Sequence, residues 1–147
     1  MNPDFVALLR ALSEADARYL IVGAYAVTFH SRPRATGDLD IWVEATPGNA
    51  ARVMRALEEF GAPLTDLSEA DLAAPGIVYQ IGVPPRRIDL LTSITGVAFG
   101  EAWAGRVAGP FGGLECPFIG RAELARNKRA LGRPRDLADL EMLGESG

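Results

Sequence analysis

Two carboxylates stand one residue apart inside an apolar run, in "GDLDIWVE" (Gly37 to Glu44). Alternate side chains of a strand share a face, so Asp38, Asp40 and Trp42 are expected to point one way and Leu39, Ile41 and Val43 the other. The two carboxylates then lie about 6–7 Å apart at their Cα atoms. Like charges so placed raise each other's pKa unless a cation sits between them, and a hard divalent ion, Mg²⁺ or Mn²⁺, is the natural one. A third carboxylate, Asp89, lies between Ile88 and Leu90 in "RRIDLLTS". Upstream, in "YLIVGAYAVTFH", Gly23 and Ala24 fall where a strand meets a helix, a place whose backbone N–H groups bind phosphate. Three carboxylates and a phosphate-holding turn are the parts needed for metal-assisted attack on a nucleotide phosphate. Alone, a D-x-D on a solvated strand face carries no such meaning; the third acid and the turn shift the balance.

These residues need elements to position them. Asn2-Pro3 reads as a helix cap followed by proline at the first helical position, and Phe5, Leu8, Leu9 and Leu12 then recur at helical spacing. "RYLIVG" reads as a short buried strand ending at Gly23, "AYAVTFH" as a short helix and "GDLDIWVE" as a strand. Thr46-Pro47 opens a second long helix that carries Val53, Met54, Leu57 and Phe60 and stops at Gly61. "SEADLAA" suggests a helical turn. "GIVYQIGV" and "RRIDLLTSI" suggest strands about a Pro84-Pro85 turn, and a short helix runs through Glu101, Ala102 and Trp103. "RVAGPFGGLECPFIG" suggests two strands, and the C-terminus two helical pieces broken at "GRPRD". The order lacks a regular βαβ rhythm, which predicts one α+β domain over 1–147 with a mixed, mostly antiparallel sheet flanked by helices and ending in C-terminal helices.

The bulk properties agree with one ordinary core. The chain has 147 residues, 48% of them hydrophobic, enough for a single domain. A net charge of −4 gives no global sign of a nucleic-acid or membrane partner. The single cysteine, Cys116, cannot form an internal disulfide, which suits a reducing compartment. No apolar run approaches the roughly 18 residues of a membrane helix, and the acidic N-terminal stretch does not read as a secretory signal, so a cytoplasmic protein is expected. Charge is nevertheless uneven. Residues 121–135, "RAELARNKRALGRPR", hold six basic residues and one acidic residue, including the sole lysine, Lys128. The segment is either a solvated helix face or a place for phosphate groups.

The motifs together resemble those of the nucleotidyltransferase superfamily, the DNA polymerase beta-like fold. That pattern is a hydrophobic residue, Gly, then Gly or Ser, a spacer, an Asp–hydrophobic–Asp/Glu–hydrophobic run, and a third acid on a later strand. Here "VGA", a 13-residue spacer (25–37), "DLDI" and "IDL" stand in that order. "RATGDLD" (Arg34 to Asp40) and "KRALGRPRDLADLE" (Lys128 to Glu141) are similar to runs in small bacterial members related to toxin–antitoxin and abortive-infection nucleotidyltransferases. The resemblance implies that Asp38, Asp40 and Asp89 are catalytic and hold Mg²⁺ or Mn²⁺. It implies nucleotide contacts from Gly23, Ala24, Tyr25, Arg34, Thr36 and Lys128, and transfer of a nucleoside monophosphate from a nucleoside triphosphate to an acceptor hydroxyl on a protein, an RNA end or a small molecule. A cognate antitoxin or helical partner protein would fit the same relationship. The chain departs from the pattern at Ala24, which lacks the hydroxyl a serine would offer to phosphate. A weakly active or inactive nucleotide-binding module of the same fold is therefore the alternative.

Further residues divide between chemistry and packing. His30 is expected to pack or cap rather than to orient phosphate, Trp42 either packs or stacks on a base, and Cys116 behaves as a small apolar residue. Asp136 and Asp139 read as a helix cap and an intrahelical partner. Lys128 lies four positions after Leu124 and three before Leu131, on the inward stripe of its helix. A charge there is costly unless it finds a partner, and the strand carboxylates and the triphosphate are the expected ones. The other outcome is that Lys128 snorkels to water.

Overall fold

Asn2 accepts a hydrogen bond from the Asp4 N–H and Pro3 opens α1 (Pro3–Glu14), whose Phe5, Leu8, Leu9 and Leu12 are buried. The computed structural model describes residues 2–32 and 37–145. After α1 the chain runs through β1 (Tyr19–Val22), α2 (Gly23–His30), β2 (Leu39–Val43), α3 (Pro47–Phe60) and the short α4 (Glu69–Leu72). It continues through β3 (Val78–Ile81), β4 (Ile88–Leu91), α5 (Phe99–Ala104), β5 (Val107–Phe111), β6 (Leu114–Phe118), α6 (Arg121–Leu131) and α7 (Pro134–Met142). Thr46 caps α3 through the Asn49 N–H, and Gly61 ends it in the left-handed conformation, so both signals read from the sequence act as expected.

The six strands form one mixed sheet in the order β3-β4-β2-β1-β6-β5. Three pairings are antiparallel (β3 with β4, β2 with β1, β6 with β5) and two are parallel (β4 with β2, β1 with β6). This is the α+β arrangement with a mostly antiparallel sheet that the order of elements suggests. The central strands β1 and β2 are buried on both faces, which explains their nearly unbroken apolar runs. The outer strand β3 alternates exposed and half-buried residues, as an edge strand covered on one side does. Helices α1 and α3 pack on each other, and α2 packs on β1 and β2. Each fully buried Leu, Ile or Phe of this core contributes roughly 1.5–3 kcal/mol relative to exposure. Among the described residues no helix is long and apolar enough to cross a membrane.

Two features of the sheet position the site. β2 and β4 run parallel in register, with Leu39 opposite Ile88 and Asp40 opposite Asp89. β1 and β2 are antiparallel with Val22 opposite Asp40, so the residue that follows β1, Gly23, turns into α2 beside that carboxylate.

Candidate active site

Asp38, Asp40 and Asp89 line one cavity of about 470 Å³ together with Gly23, Ala24, Arg87, Lys128, Arg133, Arg135 and Asp139. The strand residues form one wall and the α6–α7 segment faces them. Asp40 and Asp89 are neighbours because their strands are in register. Burial, then the charge of Asp89, pushes the Asp40 carboxyl up to about 6; Lys128 acts in the opposite sense and Asp38 adds to the rise.

Arg87 answers the other two carboxylates. Its Nε donates to Asp89 Oδ1 at 2.7 Å and its Nη2 to Asp89 Oδ2 at 3.2 Å, a bidentate pair. Nη2 also lies 3.5 Å from Asp38 Oδ2, while the Arg87 backbone N–H donates to Asp38 Oδ1 at 3.0 Å. Among the described residues, no group of three or more His, Cys, Asp or Glu side chains is drawn together as a ready ligand set for an ion. The Arg87 guanidinium instead holds Asp38 and Asp89. The donor chemistry still suits Mg²⁺ or Mn²⁺: half-buried, mutually repelling carboxylate oxygens are relieved by a hard dication. Such an ion commonly takes one or two carboxylates and completes its shell with water and substrate phosphate.

Gly23 and Ala24 form the rim. Gly23 has φ +68°, and the N-cap residue of α2, Val22, has no side chain that accepts from the first N–H groups of the helix. Ala24 offers the cavity a methyl group and a backbone N–H. Tyr25, by contrast, does not line this cavity. It packs edge-on to Phe5 and tilted against Phe111, and borders a separate depression with Asn2, Asp4, Gly37 and Arg86. One residue along a helix is a turn of about 100°, enough to carry Tyr25 off the face that Ala24 presents. Arg34 and Thr36 lie outside the described residues.

Lys128 is buried, so it does not snorkel to water. Its Nζ lies 3.1 Å from Asp139 Oδ2 and 3.6 Å from Asp136 Oδ1. The expected partners, the strand carboxylates, are thus replaced as direct partners by two acids of α7, although Lys128 still lines the cavity and acts on Asp40. The run "GRPRDLAD" explains this geometry. Gly132 ends α6 at φ +63°, Asp136 accepts from the Arg133 N–H at 3.2 Å to cap α7, and the first turns of α7 bring Asp136 and Asp139 to the lysine. Arg133 also grips Asp136 with Nε at 2.6 Å and Nη2 at 3.2 Å. Asp136 is therefore a cap, as its position suggests, while Asp139 pairs between helices.

Arg87, Arg133, Arg135 and Asp139 line the cavity without having been named individually as site residues from the sequence. Arg87 left one signal: it stands two before Asp89, hence on the same face of an extended segment. The other singled-out residues serve packing. Trp42 is 1% exposed and meets Phe99 of α5 edge-on, which closes it to a base. His30 Nε2 bonds the Ile119 carbonyl at 2.7 Å. Cys116 is buried, and burial pushes its thiol pKa up, away from reactivity.

No protein-family model and no curated protein matches the sequence. Solved structures do match the fold. One is TM1012 of Thermotoga maritima, provisionally designated a nucleotidyltransferase, with TM-score 0.61 and 14% identity over 96% of this chain and 92% of that one. Another is the lincosamide antibiotic adenylyltransferase LnuA in its lincomycin-bound form, with TM-score 0.61 and 12% identity over 98% of this chain and 96% of that one. The chain thus has the nucleotidyltransferase fold that its motifs resemble, along nearly its whole length.

Proposed function

We propose that the protein is a metal-dependent nucleotidyltransferase that moves a nucleoside monophosphate from a nucleoside triphosphate to an acceptor hydroxyl. The observation that carries this reading is the in-register pair Asp40–Asp89, set between the turn at Gly23 and the cations of α6 and α7. In this reading Asp40 and Asp89, with Asp38, hold Mg²⁺ or Mn²⁺. When bound, the ion supplies charge neutralisation to the phosphates and to the carboxylates. The N–H groups of Gly23 and Ala24 orient phosphate oxygens at the helix end. Lys128, Arg133 and Arg135 balance the charge of the departing pyrophosphate. The acceptor oxygen attacks the α-phosphorus, its proton passes to the Asp89 carboxylate, and the bond between the α-phosphorus and the bridging oxygen breaks with its electron pair leaving on pyrophosphate.

The acceptor can be a small molecule, an RNA end or a protein. LnuA is named for an antibiotic acceptor, which supports the first. A toxin–antitoxin role rests on the Arg34–Asp40 and Lys128–Glu141 runs alone. Ala24 favours a second reading, a nucleotide-binding module without transfer. The deciding experiment incubates the protein and Asp40→Asn with each α-labelled nucleoside triphosphate and Mg²⁺, alone, with total RNA, and with a panel of hydroxyl-bearing small molecules. Label transferred by wild type and not by the variant supports the enzyme. Nucleotide binding without transfer supports the module, and no binding rejects both.

A further inference from the structure

Arg87 stands where a cation of the catalytic site would stand. It donates to both oxygens of Asp89 and reaches Asp38, and its positive charge repels any ion approaching those carboxylates. Its backbone is fixed on both sides: Arg87 C=O accepts from the Leu39 N–H at 3.0 Å, and Arg87 N–H donates to Asp38. The side chain is held by ion pairs rather than by the strand's backbone bonds and is 28% exposed. It can therefore rotate away without moving the strand that carries Asp89.

We infer that Arg87 is an internal counter-ion that keeps bare divalent metal out of the site and yields only when metal arrives with a nucleotide. This rests on the proposed metal-dependent reading of the same site. Among the described residues the cavity is lined by four acidic side chains (Asp38, Asp40, Asp89, Asp139) and four basic ones (Arg87, Lys128, Arg133, Arg135). With Arg87 in place these charges balance, and a lone dication gains little by entering. With Arg87 turned out, the lining carries one net negative charge, the Asp89 oxygens are open, and the planar guanidinium is free to pair with phosphate, for which its fork geometry is suited. Metal binding and nucleotide binding are thereby coupled through one side chain, each favouring the same displaced position.

The coupling is measured by titrating Mn²⁺ into the wild type and into Arg87→Gln, reading free Mn²⁺ by electron paramagnetic resonance. The titration is run without nucleotide and then with α,β-methylene analogues of the four nucleoside triphosphates. Without nucleotide, Arg87→Gln should bind Mn²⁺ at least tenfold more tightly than the wild type, and nucleotide should narrow that gap. Arg87→Lys, which keeps the charge but loses the bidentate grip, should fall between them. Equal or weaker Mn²⁺ binding by Arg87→Gln, in a variant whose melting temperature matches the wild type, overturns the counter-ion role while leaving the metal reading intact. Absence of Mn²⁺ uptake by either protein, with or without nucleotide, overturns the metal reading and the counter-ion with it.

Discussion

A Cβ at Gly23 would overlap Asp40 Oδ2, so a larger residue at the turn that opens α2 has to displace the carboxylate of β2. Val22 lies opposite Asp40 in the antiparallel pair, and the chain enters α2 at the next residue, beside the carboxylate. The same residue has φ +68°, where a side chain costs about 1–2 kcal/mol. One glycine therefore permits both the turn into α2 and the close approach of the acid beside it.

Gly23→Ala should consequently damage binding more than folding. The variant should melt lower than the wild type and lose the stabilisation that Mg²⁺ plus nucleotide gives the wild type by mass action. Thermal unfolding with and without ligand, on both proteins, measures this. A variant that retains the full ligand-dependent shift would show that the close approach has no part in the site.

The raised Asp40 pKa predicts a pH dependence of opposite sign to that of an ordinary ion-paired acid. Between the usual value of 3.8 and about 6, the folded protein holds a proton on Asp40 that the unfolded chain has released. This contribution to stability is therefore present at low pH, declines across that window, and is gone above about 6. Asp40→Asn lacks the decline. In metal-free buffer the variant should gain on the wild type as pH rises from 4 to 7, by up to about 3 kcal/mol. Urea unfolding at the two ends of the range gives the difference directly; a constant difference would remove the electrostatic account of Asp40. Metal affinity should show the complementary trend and weaken as pH falls below about 6.

The acids and the turn are legible in the sequence because each breaks a local pattern. A charge in an apolar strand or a glycine at a strand's end is visible without knowing what lies across the sheet. Strand order is less so: β2 and β4 are parallel and adjacent although α3, α4 and β3 intervene, a pairing set by how the helices pack. The role of Arg87 depends on that pairing, since only the ladder from Leu39 brings it to Asp38. For Lys128, helical spacing shows the inward direction, but its partners belong to α7, whose approach is set by the Gly132 turn and the Asp136 cap. Tyr25 reads as a site residue by proximity to Gly23, while helix rotation and the rings of Phe5 and Phe111 draw it elsewhere.

Ala24 tests whether the turn is limited by its missing hydroxyl. Ala24→Ser should tighten triphosphate binding by a net hydrogen bond, on the order of 0.5–1.5 kcal/mol. Calorimetric titration with nucleotide and Mg²⁺ reads the change. Weaker binding would mean that the cavity is shaped around the methyl group.

Lys128→Met and Arg129→Ala should separate site from surface. Lys128 is buried against Asp136 and Asp139, whereas Arg129 is 43% exposed and pairs with Glu145 at 3.0 Å. Losing the lysine should lower the melting temperature and also weaken nucleotide binding at least tenfold, about 1.4 kcal/mol. Losing the arginine should change stability by no more than about 1 kcal/mol and leave binding near wild type. Comparable small effects from both would reduce the basic segment to a solvated face.

Asp136 predicts the acid limb of the stability curve. The hydrogen bonds from Arg133 hold its carboxyl below the usual range, against the opposing effect of burial, with Lys128 assisting. The sign is the reverse of that for Asp40. With the folded value depressed, Asp136 contributes stability above the ordinary carboxylate value near 3.8, and that contribution is lost as pH falls below it. Asp136 also caps α7 through the Arg133 N–H, and an asparagine oxygen can still accept that bond. Asp136→Asn therefore removes mainly the charge. It should destabilise the protein at pH 7 by a few kcal/mol, since Lys128 and Arg133 lose the acid they share, while Asp139 still answers the lysine. The gap between variant and wild type should close as pH is lowered through 4 toward 2. Chemical unfolding across that range tests it, and a gap that stays constant with pH would show that Asp136 serves the fold as a cap and not as a charge.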